Sequence, residues 1–131
     1  MCIRDRNTAA TSRDIHGTFN AASKNNLIGF DSVIGNGIDD GEDGNLVGGQ
    51  GLNPGRDARL KALGYYGGPT KTHALYYDSD AIDKGDNAVA LTYGLDTDQR
   101  GSDRIADPFF SGFDKIDIGA VEMAFADRPV F

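Results

Sequence analysis

The chain has 131 residues, a net charge of −7 and a single cysteine, Cys2. This length suits one domain or a piece of a larger protein. One cysteine excludes a disulfide framework and a cysteine-based zinc site. The acidic balance argues against nucleic-acid binding, which needs clustered Lys and Arg. No run of about 18 apolar residues occurs, so the sequence predicts no membrane-spanning helix.

Glycine and aspartate dominate the composition. The chain contains 18 glycines, and all but Glu42 and Glu122 of its 20 acidic residues are Asp. Both Gly and Asp favour turns and are poor in helix interiors. The composition therefore predicts an all-β protein rich in turns.

The N-terminal residues 1–6 read Met-Cys-Ile-Arg-Asp-Arg. We interpret this stretch as a translated sequencing-adapter artefact, so it carries no weight in the predicted fold. The lack of a signal peptide there then says nothing about export.

A short repeat follows. Asn26-Leu27-Ile28-Gly29 recurs 19 residues later as Asn45-Leu46-Val47-Gly48. The spacing lies near the roughly 20 residues of the shortest solenoid repeats, although a hairpin meander would also produce it. The predicted core positions around the repeat are Ile15, Phe19, Leu27, Ile28, Val33 and Ile34.

Beyond the repeat, the sequence predicts one helical turn and then short strands. Asp57 is placed to cap a turn over residues 57–64. The best strand candidates are 74–77, 88–93 and 116–122, which are apolar or β-branched and bounded by turn residues.

Several oxygen-rich segments raise the question of calcium. Residues 48–53 imitate the start of a calcium β-roll nonapeptide, but they occur once, and such a site needs consecutive copies. Residues 39–45 lack the alternating acids of an EF-hand loop. A glycine turn and a solvated acidic loop are the favoured interpretations. We therefore predict no cofactor and no metal ligand, with calcium as the alternative.

A run of aspartates at 78, 80, 83 and 86 could supply paired carboxylates for glycoside hydrolysis, or hold calcium for polysaccharide elimination. The favoured alternative is that Asp83 and Asp86 cap turns by accepting backbone N–H bonds. Neither His16 nor His73 has the sequence context of a nucleophilic triad. No catalytic residue is predicted.

The last charged motifs contain Asp98, Arg100, Asp117 and Glu122. Arg100 is the expected partner for one of these acids, because an Arg–carboxylate pair forms two hydrogen bonds and tolerates partial burial. The alternative is a catalytic arginine, as in polysaccharide lyases. We predict a structural role.

Four motifs, in their order and spacing, resemble the end of choice-of-anchor Q proteins, which are bacterial secreted or surface chains with right-handed parallel β-helix repeats. They are Gly67-Gly68-Pro69-Thr70-Lys71-Thr72-His73-Ala74-Leu75, Ala81-Ile82-Asp83-Lys84-Gly85-Asp86-Asn87, Asp98-Gln99-Arg100-Gly101 and Asp117-Ile118-Gly119-Ala120-Val121-Glu122. The chain departs from the family at Ala58-Arg59 and at Tyr77-Asp78-Ser79-Asp80, where the family has proline-containing turns.

The resemblance implies the C-terminal end of a parallel β-helix, a pectin-lyase-like solenoid. Residues 7–56 would form its last coils, 57–122 a capping segment and 123–131 a tail. Asn26 and Asn45 would then stack in a ladder between successive coils. The tyrosine pairs 65–66 and 76–77 would cover the open end, or else stack on sugar rings.

The implied function is non-catalytic. The chain would cap the solenoid of a secreted or cell-surface protein with an adhesin-like or surface-structural role. Its expected partners are upstream β-helix coils of the same chain and an extracellular or cell-surface polysaccharide. The alternative is the C-terminal part of a carbohydrate-active enzyme, a polysaccharide lyase or glycoside hydrolase.

Overall fold

The computed structural model describes residues 2–4, 6–7, 14–105 and 115–123. The chain forms two compact units, Met1–Ala58 and Arg59–Phe131, whose boundary lies two residues from the one predicted between 56 and 57. Apart from Met123, the predicted tail lies outside the described residues.

The first unit is built on a small parallel sheet. Its strands are β1 (Ile3–Arg4), β2 (Leu27–Ile28) and β3 (Leu46–Val47), in the order β1-β2-β3. Leu27 pairs with Leu46 and Ile28 with Val47, so the 19-residue repeat is the register of the sheet. Parallel pairing of the two copies excludes the hairpin meander, which would pair them antiparallel.

The core of the first unit contains Ile15, Ile28, Ile38 and Val47, and Phe19 packs against it. Leu27 is also fully buried. The prediction was wrong for the other two positions: Val33 and Ile34 are 48% and 68% exposed. The Asp31 carboxylate accepts the amide of Val33 at 3.0 Å, and this Asx turn precedes the exposed pair.

The predicted all-β parallel β-helix is wrong. Within the described residues the structure contains three strands of two residues each and one short helix, and no closed solenoid is detected. The physical reason is visible around β3. Gly44 and Gly49, with φ of 70° and 88°, bracket it, and left-handed residues cannot continue a strand. The composition that predicted a protein rich in turns also limits the length of its strands.

The second unit contains the helix α1 (Asn87–Thr92), where a strand was predicted over 88–93. The Asp86 carboxylate accepts the amides of Ala88 and Val89 at 2.9 and 3.3 Å. This cap satisfies donors that a helix start leaves open, and it favours the helix over the strand.

Two further elements of the second unit also differ from the prediction. The segment predicted as a helical turn is extended, with antiparallel bridges Leu60↔Leu75 and Gly64↔Thr72. Residues 116–122 form no strand, because the amides of Asp117 and Glu122 donate to side chains and not to a neighbouring strand.

No helix in the described part of the chain is long and apolar enough to cross a membrane.

Candidate functional site

The candidate site is a buried set of charged side chains in the second unit, which we call the carboxylate–arginine cluster. Its members are Asp98, Arg100, Arg104, Asp117 and Glu122. The three acids are 6%, 1% and 1% exposed. Buried charges are costly unless they are paired and hydrogen-bonded, so the partners of each group decide what the cluster can do.

Asp98 begins a tight turn. Its Oδ1 accepts the amide of Arg100 at 2.7 Å, and the Gly101 amide donates to the Asp98 carbonyl at 3.0 Å. Gly101 has φ of 88°, a conformation that favours glycine. The motif Asp-Gln-Arg-Gly is therefore an Asx turn, and it aims the Arg100 side chain back at the carboxylate that begins it.

Arg100 and Asp98 form a buried ion pair. Arg100 Nε lies 2.9 Å from Asp98 Oδ2, and the two side chains are 4% and 0% exposed. The Arg100 guanidinium also donates to the carbonyls of Tyr66 and Glu122. The sequence left open which acid Arg100 would pair with, and the structure selects Asp98.

The environment lowers the pKa of Asp98. Burial alone would raise it, but hydrogen bonds from the Glu122 amide and from Arg100 outweigh the burial. Asp98 also accepts the Ser102 amide at 3.1 Å and the Glu122 amide at 2.9 Å. Donors of this kind favour the charged form, so Asp98 is the ionised member of the cluster.

Asp117 joins two distant segments. Its Oδ1 accepts the Asp83 amide at 2.8 Å, and its Oδ2 accepts the Met123 amide at 2.6 Å. Burial raises the pKa of Asp117 to about 6, against the lowering effect of these two hydrogen bonds. The carboxylate fixes the Ala-Ile-Asp turn to the end of the described chain.

Glu122 faces back towards Asp117. Both of its carboxyl oxygens lie near the Asp117 amide, at 3.1 and 3.0 Å. Burial raises the pKa of Glu122 to about 9, and repulsion from the Asp117 carboxylate adds to the effect. At neutral pH, Glu122 therefore holds its proton.

Arg104 is the member that the sequence analysis did not single out. It is 6% exposed, and its Nη2 donates to the carbonyls of Asp117 and Gly119, both at 3.1 Å. The one available signal was a charge deficit, because the predicted set held three acids and one arginine. Even with Arg104 there are two cations for three carboxyl groups, which agrees with one of them staying protonated.

A second buried polar group, the asparagine ladder, lies in the first unit. Asn45 Oδ1 accepts the backbone amide of Asn26 at 3.1 Å and its side-chain amide at 2.9 Å. Asn26 Oδ1 in turn accepts the Cys2 amide at 3.1 Å, and Asn45 Nδ2 donates to the Ser23 carbonyl. The two asparagines lie side by side directly before β2 and β3, although the β-helix coils between which the ladder was predicted are not detected.

The aspartates at 78, 83 and 86 have separate tasks. Asp86 caps α1, as the favoured interpretation expected. Asp78 pairs with Arg59 at 2.6 Å, with both side chains at least 40% exposed. Asp83 has φ of 56°, and its amide donates to Asp117. The Asp78 and Asp86 side chains thus have structural partners, and the backbone of Asp83 is held by Asp117.

The acidic loop at 39–45 is occupied by protein donors. Asp39 accepts the Gly35 amide at 2.8 Å, while Asp40 accepts the Val47 amide at 2.7 Å and pairs with Arg56 at 3.1 Å. Among the described residues, no group of three or more His, Cys, Asp or Glu side chains could hold a metal ion.

Both histidines are exposed. His73 Nδ1 lies 2.8 Å from the Lys61 carbonyl, which can only accept, so this nitrogen carries the proton. His73 therefore fastens one chain segment to another, as expected for a structural residue.

No protein-family model, curated protein or solved structure matches this chain.

Proposed function

We propose that this chain is a non-catalytic part of a secreted or cell-surface protein, with an adhesin-like or surface-structural role. One observation carries the non-catalytic part of the proposal: the acids of the carboxylate–arginine cluster are buried, and their oxygens accept bonds from the protein's own backbone.

A catalytic acid or base must come within hydrogen-bond reach of the proton that it moves. Asp98, Asp117 and Glu122 are at most 6% exposed. Each of them contacts backbone amides that would lose a buried partner if the side chain turned towards a substrate. Because an unsatisfied buried donor costs about 1–3 kcal/mol, the cluster is suited to holding loops together.

The proposed location rests on the sequence. The C-terminal motifs that resemble choice-of-anchor Q proteins support a place outside the bacterial cell or on its surface. An extracellular polysaccharide is the partner that we propose.

The test is a turnover assay on the whole chain. The protein is incubated with a polyuronic acid, a neutral β-glucan and a neutral α-glucan, and both new reducing ends and unsaturated uronate are measured. We expect neither product above the level without protein. Turnover that disappears in Asp117→Asn, while the far-ultraviolet circular dichroism is kept, would establish the carbohydrate-active enzyme and overturn the proposal.

A further inference from the structure

The strongest unexplained feature is an acid-free stretch in an acidic chain. Residues 58–77 contain no Asp or Glu, although the whole chain has 20 acids. The same 20 residues hold Arg59, Lys61 and Lys71, together with four of the five tyrosines. We call this stretch the tyrosine–lysine hairpin. It concentrates cations and aromatic rings where the rest of the chain carries aspartate.

The hairpin presents these side chains outwards. The bridges Leu60↔Leu75 and Gly64↔Thr72 pair its two arms, and Leu75 and Thr72 are 2% and 4% exposed. By contrast, the exposed fractions of the tyrosines are 69% for Tyr65, 46% for Tyr76 and 53% for Tyr77. Leu75 is thus buried, while Leu63, at 57% exposed, and the large rings remain in solvent.

Cations lie over the rings near the tip of the hairpin. Lys71 Nζ is 5.7 Å from the centroid of the Tyr65 ring, and Lys61 Nζ is 5.7 Å from that of Tyr66. Such cation–π pairs are attractive and restrict both side chains. Each pair therefore presents an aromatic ring and an ammonium group side by side, and part of their side-chain conformational entropy is already lost before a ligand binds.

The buried cluster holds the tip in place. Arg100 Nη1 donates to the Tyr66 carbonyl at 3.2 Å, and Gln99 Nε2 donates to Thr70 Oγ1 at 3.0 Å. A Cβ at Gly68 would come within 2.8 Å of the Arg100 Cα, so only glycine fits this approach. The exposed surface thus stands on a rigid support, which lowers the entropy lost on binding.

We propose that the tyrosine–lysine hairpin binds an acidic polysaccharide, with its exposed tyrosines stacking on sugar rings and Lys61 and Lys71 pairing with carboxylate groups. This inference deepens the proposed function, on which it rests, by naming the surface and the chemical class of the partner.

The observations favour this partner over a nucleic acid. Aromatic rings with a polar edge suit sugars, which present apolar C–H faces beside hydroxyl groups. Phosphate binding needs many clustered cations, whereas the hairpin holds three, and Arg59 already pairs with Asp78. At physiological ionic strength, charges beyond about 8 Å are largely screened, so only aspartates close to the hairpin, such as Asp78, reduce the local attraction.

The experiment is affinity electrophoresis of the whole chain through gels that contain polygalacturonate, a neutral β-glucan or single-stranded DNA. We expect retardation by polygalacturonate alone, and less of it as salt is added. The double variant Tyr65→Ala/Lys71→Ala should bind about tenfold more weakly. Lys71→Glu should reduce retardation as well, and it leaves the aromatic surface in place.

The matched control is Tyr93→Ala/Lys24→Ala, which removes the one tyrosine outside the hairpin and an exposed lysine. It carries the same charge change and should be retarded as strongly as the unaltered chain. No retardation of the unaltered chain, stronger retardation by DNA or neutral glucan, or equal loss in the control would overturn the inference. Affinity electrophoresis measures binding and not turnover. The non-catalytic function is therefore tested only by the separate turnover assay, and the two proposals can fail independently.

Discussion

The asparagine ladder of the first unit and the carboxylate–arginine cluster of the second bury polar groups in different ways. In the first unit the asparagine ladder uses neutral amides, which both donate and accept, so Asn45 serves Asn26 and Asn26 serves the next strand. In the second unit the acceptors are carboxyl groups, which need arginines and backbone amides around them. The hydrogen bonds of the asparagine ladder repeat from strand to strand along the sheet. Those of the carboxylate–arginine cluster stay within one set of segments, and their strength depends on pH.

The largest expected effect comes from breaking the buried ion pair. Asp98→Ala removes the partner of Arg100 and leaves the amides of Ser102 and Glu122 without their acceptor. Loss of one partner of a buried pair costs about 3–5 kcal/mol. Native-state hydrogen exchange should show lower protection at these two amides.

The amide of Gly48, in the first unit, reports whether the effect is local, since it donates to Ile28 at 3.0 Å. Its protection should stay unchanged. The control is Asp103→Asn, at an exposed position in the same unit as Asp98. It should leave the protection of the Ser102 and Glu122 amides unchanged. A loss of stability no greater for Asp98→Ala than for this control would show that the pair is not a structural support.

The second prediction concerns pH and Glu122. Since the folded-state pKa, about 9, lies above the ordinary value of 4.5, the folded chain binds more protons than the unfolded chain between these values. Its contribution is full below pH 4.5 and falls as pH rises towards 9, by at most about 1.4 kcal/mol per pH unit. Asp117 acts in the same direction up to its pKa of about 6. Because the pKa of Asp98 is lowered, its contribution to stability increases with pH, opposite to the other two acids, but only in the acidic range.

Glu122→Gln imitates the protonated acid. Urea unfolding followed from pH 5 to 9 should give similar stability for the variant and the unaltered chain at pH 5, and a more stable variant at pH 9. The chain supplies a matched control, because its only other glutamate, Glu42, is exposed. Glu42→Gln should keep the original pH dependence, and identical slopes for all three proteins would contradict the protonated Glu122.

The smallest of these effects is expected in the ladder. Asn45→Ala removes the acceptor of the Asn26 amide, and an unsatisfied buried donor costs about 1–3 kcal/mol. Because no ion is involved, the loss should be the same at pH 5 and pH 9 when measured by urea unfolding. Asn36→Ala is the control for loss of a buried asparagine outside the ladder. Asn36 is also buried, but its side chain donates to the Asp31 carboxylate and not to a ladder residue. If Asn45→Ala, but not the control, lost stability to a different extent at pH 5 and pH 9, the ladder would depend on pH as the carboxylate–arginine cluster does, and the contrast between them would be wrong.

Much of the first unit could be predicted, because a repeat leaves its register in the sequence. Asn26 and Asn45 are 19 residues apart, and parallel strands place equivalent residues side by side. The step from this register to a closed β-helix failed, since a match between two short segments says nothing about how far each strand extends. The glycines at 44 and 49 leave room for at most four residues between them, and β3 occupies two of these.

In the second unit, local signals outweighed the apolar pattern. Residues 88–93 are apolar or β-branched, as in a strand, yet Asp86 caps the amides of Ala88 and Val89 and most of the segment lies in α1. The Asx turn at Asp98 was within reach of the sequence, because Asp followed by Gly three residues later is a local pattern. Arg104 was not, since its partners, the carbonyls of Asp117 and Gly119, belong to a segment more than ten residues away.

The sequence alone determined the 19-residue spacing of the repeat, the Asp-to-Gly pattern of the Asx turn and the separation of acids from the tyrosine–lysine hairpin, because each depends on residue identity or short spacing. Only the tertiary structure decided that Arg100 pairs with Asp98, that Arg104 joins them, and that Glu122 keeps its proton. The reason is that burial and pairing depend on which distant segments meet, and the charge of a carboxyl group follows from that meeting.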